Sequence, residues 1–185
     1  ISLLVLLFAL NSCDFARDKV RGNGEIKEES RKETGFSEVQ VSGAIQVYAR
    51  QDSAWAVKLV TDANLLTHIE TYVEGQTLVI RQEEGTNLQP SSSIKVYISS
   101  PSYTDFDLSG ACEVISENRL SADNAITIDL SGASKAEMDL KTPVIHLGLS
   151  GASVARLRGE TRDLDIDASG ASKALCYNLP SEKAT

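Results

Sequence analysis

Aspartates that recur at two positions of a repeat are the residues whose spacing could do chemistry. One position holds Asp107, Asp129 and Asp167, and the position two residues earlier holds Asp105 and Asp165. If successive repeats pair as neighbouring β-strands, aspartates at one position lie about 5 Å apart. Carboxylates at that spacing suit a Ca²⁺ site, a carboxylate pair that cleaves glycosidic bonds, or polar contacts to a glycan.

The same aspartates have a simpler interpretation as a solvated strand face, because outward strand positions are commonly polar. Gly148 interrupts the column between Asp129 and Asp167. His68 and His146 are far apart in sequence and show no metal-ligand spacing. We therefore predict no catalytic residue, no metal site and no cofactor. Binding of Ca²⁺ or a glycan by the acidic columns is the alternative.

The repeat itself is the tripeptide Ser-Gly-Ala, which occurs five times. Four copies begin at positions 109, 131, 150 and 169, at spacings of 22, 19 and 19 residues, and another copy begins at position 42. Apolar residues stand two and four positions before most of the glycines with polar residues between them, as Phe106 and Leu108 do. This period of two predicts a strand with one buried side before each turn, and a second short strand follows the turn.

Two short strands per repeat cannot bury their apolar sides alone, but stacked repeats form a continuous core. The sequence therefore predicts an all-β fold: a β-solenoid, similar to a β-helix, of stacked two-strand rungs with a less regular N-terminal β region. A β-sandwich with similar hairpins is the alternative. Glycine recurs because a sharp corner needs a positive φ or a close backbone approach. The predicted corner glycines are Gly43, Gly110, Gly132, Gly151 and Gly170.

Some details of this plan stay open. Between Gly43 and Gly110 the apolar segments are less regular, and we expect either longer rungs or a sheet that caps the stack. Residues 62–74 fit a short helix or a strand. The serines of the repeat have no repeating base beside them, so we assign their hydroxyls to turn capping rather than to nucleophilic catalysis.

The N-terminus predicts export. Residues 1–10 are an uninterrupted apolar segment, too short to span a bilayer, and Asn11, Ser12 and Cys13 follow it. This pattern is typical of a bacterial lipoprotein leader, whose cysteine accepts a diacylglyceryl group; an ordinary secretory leader is the alternative. We predict an incomplete signal peptide at 1–12, a lipid anchor and short tether at 13–20, and a single solenoid domain at 21–185 that continues past Thr185.

Charge and composition narrow the partners. The net charge is −8, the pI is about 4.8 and no basic stripe exists, so we predict no nucleic-acid partner. Cys112 and Cys176 fall in different columns about 14 Å apart at the strand spacing, which predicts two free thiols. Most aromatic residues are expected to pack or to be scattered, with a sugar-binding surface as the alternative. The residues considered for that surface are Trp55, Tyr48, Tyr72, Tyr97 and Tyr103.

Several short segments, taken in order, resemble a known family. They are Gly22-Asn23-Gly24, residues 31–36, Val39-Gln40-Val41-Ser42-Gly43, residues 62–80 and the serial Ser-Gly-Ala turns. Together they resemble the auto-transporter adhesin head domain, or GIN domain, of Bacteroidetes. The resemblance covers nearly everything after the predicted anchor. It implies an exported, mostly β, solenoid-like domain at the cell envelope with adhesion or glycan binding as its role, and it brings no catalytic residues to carry over.

We therefore expect a non-enzymatic, lipid-anchored envelope protein whose solenoid face binds a glycan or another surface protein. Its expected partners are the membrane, through the anchor, and that glycan or protein. A structural or assembly module without a small ligand is the alternative, and a polysaccharide-active β-helix enzyme ranks last. The expected location is the outer membrane of a Gram-negative bacterium.

Overall fold

The computed structural model describes residues 18–185, and nearly all of its regular structure is β-strand. The predicted leader and the lipidation site at Cys13 lie outside the described residues. One 3-10 turn, Leu66–His68, is the single helical element in 18–185. The prediction of an all-β fold is confirmed. In chain order the strands are β1 (Asp18–Arg21), β2 (Ile26–Arg31), β3 (Glu38–Gly43), β4 (Ile45–Gln51), β5 (Ala56–Asp62), β6 (Ile69–Glu74), β7 (Thr77–Gln82), β8 (Thr86–Gln89), β9 (Ile94–Ser100), β10 (Asp105–Gly110), β11 (Glu113–Ser116), β12 (Leu120–Ser121), β13 (Ile126–Leu130), β14 (Lys135–Leu149), β15 (Val154–Ala168), β16 (Lys173–Asn178) and β17 (Lys183–Ala184).

The strands form two ladders that meet at the Ser-Gly-Ala corners. The front ladder contains the strands that lead into the corners, in the spatial order β7, β3, β10 and β13, followed by the second halves of β14 and β15. The back ladder contains the strands that leave the corners, in the order β9, β4 and β11, followed by the first halves of β14 and β15 and then β16.

All of these pairs between successive rungs are parallel. Sandwich domains pair their strands antiparallel, so the β-sandwich alternative is wrong for residues 18–185. The register agrees with the columns read from the sequence, because Gly110 pairs with Gly43 and Leu108 pairs with Leu130. The copy at position 42 thus follows the same frame as the four later copies.

The corner glycines stack directly on one another. Gly132 has φ +72°, and a Cβ built on it would lie 2.5 Å from the carbonyl oxygen of Gly110 in the preceding rung. The next amide along the chain uses the same contact, since the Ala133 N–H donates to the Gly110 carbonyl at 2.7 Å. Positive φ and close backbone approach, the two predicted reasons for glycine, both hold here.

Turn capping is carried by a different serine from the predicted one. The hydroxyl of Ser153, one residue after the tripeptide, donates to the carbonyl of Ser150 at 2.6 Å, and Ser134 donates to Ser131 at 2.8 Å. Ser131 itself donates at 3.3 Å to the carbonyl of Leu108, in the preceding rung. The first serine of the repeat therefore contacts its neighbouring rung, because its side chain points along the stack and not back into its own turn.

The irregular N-terminal region closes one end of the stack. Of the two predicted alternatives, longer rungs or a capping sheet, the structure shows the capping sheet. Strand β5 pairs antiparallel with β9 and β2 pairs antiparallel with β5, while β6 pairs antiparallel with β7. The ambiguous residues 62–74 become the 3-10 turn followed by β6. At this end the order of the strands in space differs from their order in the chain. Strands β7 and β9 pair with one edge of β3 and β4, and β10 pairs with the other edge of β3.

The core runs along the stack between the ladders. Inward residues such as Val41, Leu108, Ile128 and Leu147 are at most 2% exposed. At the last rung the corresponding positions, Ile166, Ala174 and Cys176, are only partly buried. The alternation that the sequence shows before each corner is therefore the alternation between core and solvent.

Candidate functional site

The outward positions of the front ladder carry all five predicted aspartates. Asp107 on β10 pairs in register with Asp129 on β13, and Asp105 lies two residues before Asp107. Asp165 and Asp167 lie on β15, two strands further along the ladder. The structure therefore groups three of the five residues and places the other two apart.

The intervening strand β14 separates the two groups of aspartates. Its outward residues in the two columns are His146, which pairs with Asp165, and Gly148, which pairs with both Asp129 and Asp167. His146 Nδ1 lies 3.6 Å from a carboxylate oxygen of Asp165. An imidazole ring and a glycine thus replace carboxylates in this rung.

Crowding of negative charge is strongest at Asp105. Partial burial, and after it the neighbouring carboxylates of Asp129, Glu38 and Asp107, together raise the pKa of Asp105 to about 6. Glu38 is the register partner of Asp105 on β3. This side chain changes its charge within the pH range of natural environments, so the front face becomes less negative in mildly acidic medium.

Gly148 leaves an opening in the acidic face. The carboxylate of Asp129 leans into the space that a side chain at position 148 would occupy. Around it lies a shallow pocket of about 240 Å³, lined by Asp107, Asp129 and Asp167 together with serines of three corners. Gly148, which interrupts the predicted column of aspartates, therefore leaves the space that this pocket occupies.

The acidic face offers acceptor oxygens to a ligand that carries hydroxyls or positive charge. Asp107 already accepts a hydrogen bond of 3.3 Å from the side-chain amide of Gln40. Within residues 18–185, no three acidic, histidine or cysteine side chains are arranged to hold a metal ion. The Ca²⁺ alternative therefore gains no ligand set from this part of the chain.

The aromatic residues divide into three environments. Tyr103 is buried and stacks on Phe106, and its hydroxyl donates to the Arg50 carbonyl, so it is a packing residue. Tyr72 is on β6, at the edge of the front ladder. The other three lie on the outer side of the back ladder: Tyr48 stacks on Tyr97, and Tyr97 and Trp55 line one groove.

A groove of about 370 Å³ opens beside Trp55 and Tyr97. Tyr48 and Tyr97 stack with ring centroids 4.9 Å apart, and the Lys58 ammonium lies 5.1 Å from the Tyr97 centroid. Sequence columns did not reveal this groove, because its walls come from the antiparallel β5 and from the turn before it. Trp55, the single tryptophan of the sequence, follows a polar segment and is the signal that could have located it.

Gly22-Asn23-Gly24 surrounds a buried carboxylate that sequence reasoning missed. Asp62 is fully buried and accepts a hydrogen bond of 2.7 Å from the Gly24 N–H. Asn64 holds the same segment, since its side chain donates to the Arg21 carbonyl and accepts from the Asn23 N–H. The motif thus holds the N-terminal arm, residues 18–25, against the rest of the domain.

Both described cysteines are free thiols, in agreement with the columns. Cys112 is 1% exposed, and burial raises its pKa; partial burial also raises the pKa of Cys176. Neither has the lowered pKa that a reactive thiol needs. No helix within residues 18–185 has the length and apolar character needed to cross a membrane.

The fold and the open outward faces define a class: all-β domains built from parallel, stacked two-strand rungs. The chain belongs to the family described as "Putative auto-transporter adhesin, head GIN domain", whose sequence model matches residues 35–185. The resemblance noted in the sequence is thereby confirmed. Comparison with curated proteins gave no match.

Solved structures share this fold at low sequence identity. A protein from Bacteroides fragilis described as a putative adhesin superposes with a TM-score of 0.83 at 18% identity, over 89% of this chain and 77% of its own. A putative adhesin from Parabacteroides merdae gives 0.73 at 15% identity, over 90% and 79% of the two chains. A putative lipid binding protein from Parabacteroides distasonis gives 0.62 at 18% identity, over 90% and 80%.

Proposed function

We propose that this chain is an exported, lipid-anchored protein of the cell envelope that binds a glycan or another surface protein and catalyses no reaction. In this proposal the parallel rungs form a β-solenoid, and its outer faces are the binding surface. Membership in an adhesin family supports the role. The observation that carries it is the parallel register, which repeats outward side chains at the strand spacing over two long ladders. Stacked-repeat proteins use such extended surfaces for binding.

The anchor at Cys13 fits this role. The described structure begins with β1 at Asp18, five residues after that cysteine. A fully extended segment of this length reaches at most about 18 Å, so an acylated Cys13 would hold the domain close to the membrane surface. The expected location remains the outer membrane of a Gram-negative bacterium.

The test is binding by the intact chain. The purified protein, coated on beads, is applied to a glycan array and to a panel of surface and matrix proteins, with Ca²⁺ and with a chelator. We expect retention on a defined subset of glycans or proteins. Retention on none of them would contradict the adhesin role and favour a structural module, and release of shortened polysaccharide would contradict the absence of catalysis.

Two variants examine the acidic face within the same experiment. Asp107→Asn and Asp129→Asn together remove the paired charges of the front ladder, and Asp123→Asn changes an exposed aspartate outside the two columns. Loss of retention in the double variant alone would assign binding to the acidic face. Unchanged retention would direct attention to the back ladder.

The anchor has its own test. Cells expressing the protein are labelled with a clickable fatty acid and fractionated. We expect label in the membrane-bound protein and none in Cys13→Ser. Equal labelling of both would contradict lipidation at this cysteine.

A further inference from the structure

The groove on the back ladder combines a fixed aromatic surface with three cationic side chains among the residues that line it. Lys58 on β5 pairs in register with Tyr97 on β9, and Tyr97 pairs with Tyr48 on β4. The three side chains therefore form one outward row across three neighbouring strands. A row of this kind presents flat apolar surface and a cation side by side.

Trp55 forms the wall of the groove and is held in place. Its indole N–H donates to the Phe36 carbonyl at 2.9 Å, and Ser100 donates to the same carbonyl at 2.8 Å. The ring is nevertheless 42% exposed. A large aromatic side chain that is both oriented and open to solvent can contact a ligand without first losing rotamer freedom.

The floor and size of the groove suit a small rigid ring. Val57 and Ile98 lie at its base and pair in register, but they alternate with the outward Lys58 and Tyr97, so their side chains face the core. The floor is therefore the paired backbone of β5 and β9, which does not move easily. Its volume of about 370 Å³ falls at the lower end of the range for small-molecule sites, roughly 300–1,000 Å³. The apolar C–H face of a pyranose can lie against the rings of Trp55 and Tyr97, with its hydroxyls directed to the polar rim.

The charged residues that line the groove indicate which class of sugar it can bind. Arg31, Arg50 and Lys58 line the groove with one carboxylate, Glu117, in a chain whose net charge is −8. Arg31 is held by Glu29 at 2.9 Å and by the Leu66 carbonyl. The acidic partners of the other two cations are well exposed: Asp52 lies 3.6 Å from Arg50 and Glu28 lies 3.1 Å from Lys58. Exposed ion pairs contribute little, so an anionic ligand can replace them at small cost.

We infer that this groove binds a pyranose ring that carries an anionic substituent, a carboxylate or a sulfate. The ring lies against Trp55 and Tyr97, and its anionic group contacts Lys58 and Arg50. Guanidinium and ammonium donors form charge-assisted hydrogen bonds with such groups. This inference rests on the proposed function and identifies its ligand class and its binding face.

The experiment compares polysaccharides by isothermal titration with the purified protein. The probes are polygalacturonate, a carboxylated chain; chondroitin sulfate, which carries both groups; dextran sulfate; and neutral dextran. Polyglutamate serves as the anion without sugar rings. We expect at least tenfold tighter binding of one anionic polysaccharide than of dextran or polyglutamate, weakened as salt rises from 50 to 300 mM. Comparison of the carboxylated and sulfated probes identifies the substituent.

Variants connect that binding to the groove. Trp55→Ala, Lys58→Gln and Arg50→Gln are each expected to weaken it about tenfold. Tyr72→Ala and Arg81→Gln are the matched controls, because Arg81 lies over the Tyr72 ring in the same kind of pair at the edge of the front ladder. They are expected to leave affinity within twofold. Thermal unfolding of each variant separates loss of binding from loss of folding.

The outcomes distinguish the inference from the proposed function. Equal binding of neutral dextran, equal binding of polyglutamate, or full affinity in Trp55→Ala and Lys58→Gln would each overturn the groove assignment. Retention on other glycans or proteins in the array would then still support the adhesin role. Absence of binding to every anionic polysaccharide also overturns the groove assignment, and the array experiment decides the wider role independently.

Discussion

Ser91 contacts both carboxylate oxygens of Asp62. Its N–H donates to Oδ2 at 2.9 Å and its hydroxyl donates to Oδ1 at 2.7 Å, while the Gly24 N–H donates to Oδ1 from the other side. Gly22 packs so closely against this carboxylate that a Cβ there would overlap it. One buried side chain thus joins β5, the N-terminal arm and the loop that precedes β9.

Asp62→Ala is expected to destabilise the fold by about 1–3 kcal/mol, because three part-buried hydrogen bonds to its carboxylate are lost. Urea unfolding monitored by circular dichroism measures the change. Asp123→Asn, at an exposed position, is the control and should lie within about 0.5 kcal/mol of wild type. Equal stability of Asp62→Ala and wild type would show that the three segments are held by other contacts.

The same carboxylate gives a pH dependence. Burial raises the pKa of Asp62, but the hydrogen bonds from Ser91 and Gly24 outweigh it and leave the pKa below its usual value. A lowered folded-state pKa stabilises the protein above the unfolded-state value of about 4, and this contribution is lost as pH falls further. The stability difference between wild type and Asp62→Asn should therefore shrink as pH falls below about 4. A constant difference from pH 7 to pH 2 would argue against this linkage.

The rungs were predictable from sequence because a local rule creates them. Phe106 and Leu108 alternate with outward residues before a glycine corner, and every later rung repeats these two apolar positions, so burial and register followed from alignment alone. Gly43 fits the same frame because it stacks on Gly110. Each rung needs this pattern to pair with its neighbours, so the sequence repeats it and the repeat can be recognised.

Contacts at the capped end were not predictable in this way. Tyr97 meets Lys58 across an antiparallel pair, and Asp62 meets Ser91 across 29 residues. These pairings depend on where β5 and the β7–β9 unit dock, and no repeat specifies that choice. The acidic columns could be found from the sequence. The opening at Gly148 could be recognised only from the position of the Asp129 side chain in the structure.

Gly132→Ala is expected to cost about 3 kcal/mol or more. The methyl group would approach the Gly110 carbonyl too closely, and the positive φ adds strain. Gly85→Ala is the control, because Gly85 has φ +81° with no atom within 4 Å of its added Cβ, and it should cost only about 1–2 kcal/mol. Equilibrium unfolding in urea measures both. Equal losses would show that backbone conformation alone, and not stacking of the corners, requires glycine.

Ser153→Ala should destabilise by about 1 kcal/mol, since its buried hydroxyl no longer donates to the Ser150 carbonyl. Cys112 occupies the equivalent position, with its sulfur 3.2 Å from the Ser109 carbonyl. Cys112→Ser is therefore expected to stay within about 0.5 kcal/mol of wild type, because a hydroxyl can make the same contact. Differential scanning calorimetry checks the pair. A larger loss in Cys112→Ser than in Ser153→Ala would contradict a shared capping role.

Asp105→Asn should stabilise the protein at neutral pH. Partial burial and the carboxylates of Asp129, Glu38 and Asp107 raise the pKa of Asp105 to about 6. The folded state therefore binds a proton that the unfolded state, with a pKa near 4, has already released. Stability contributed by the protonated form is complete below about pH 4 and is lost as pH rises through about 6.

Removing this charge should thus raise the free energy of unfolding by about 1 kcal/mol at pH 7.5, after allowance for solvent screening of a partly exposed group, and change it little at pH 4. Asp165→Asn is the control, because Asp165 has His146 beside it in place of a second carboxylate. Melting temperatures at the two pH values, with and without 0.5 M NaCl, measure the effect; salt should reduce the gain because it screens the repulsion. A gain of equal size in Asp165→Asn, or one that persists at pH 4, would show that the stabilisation does not come from crowding of charge around Asp105.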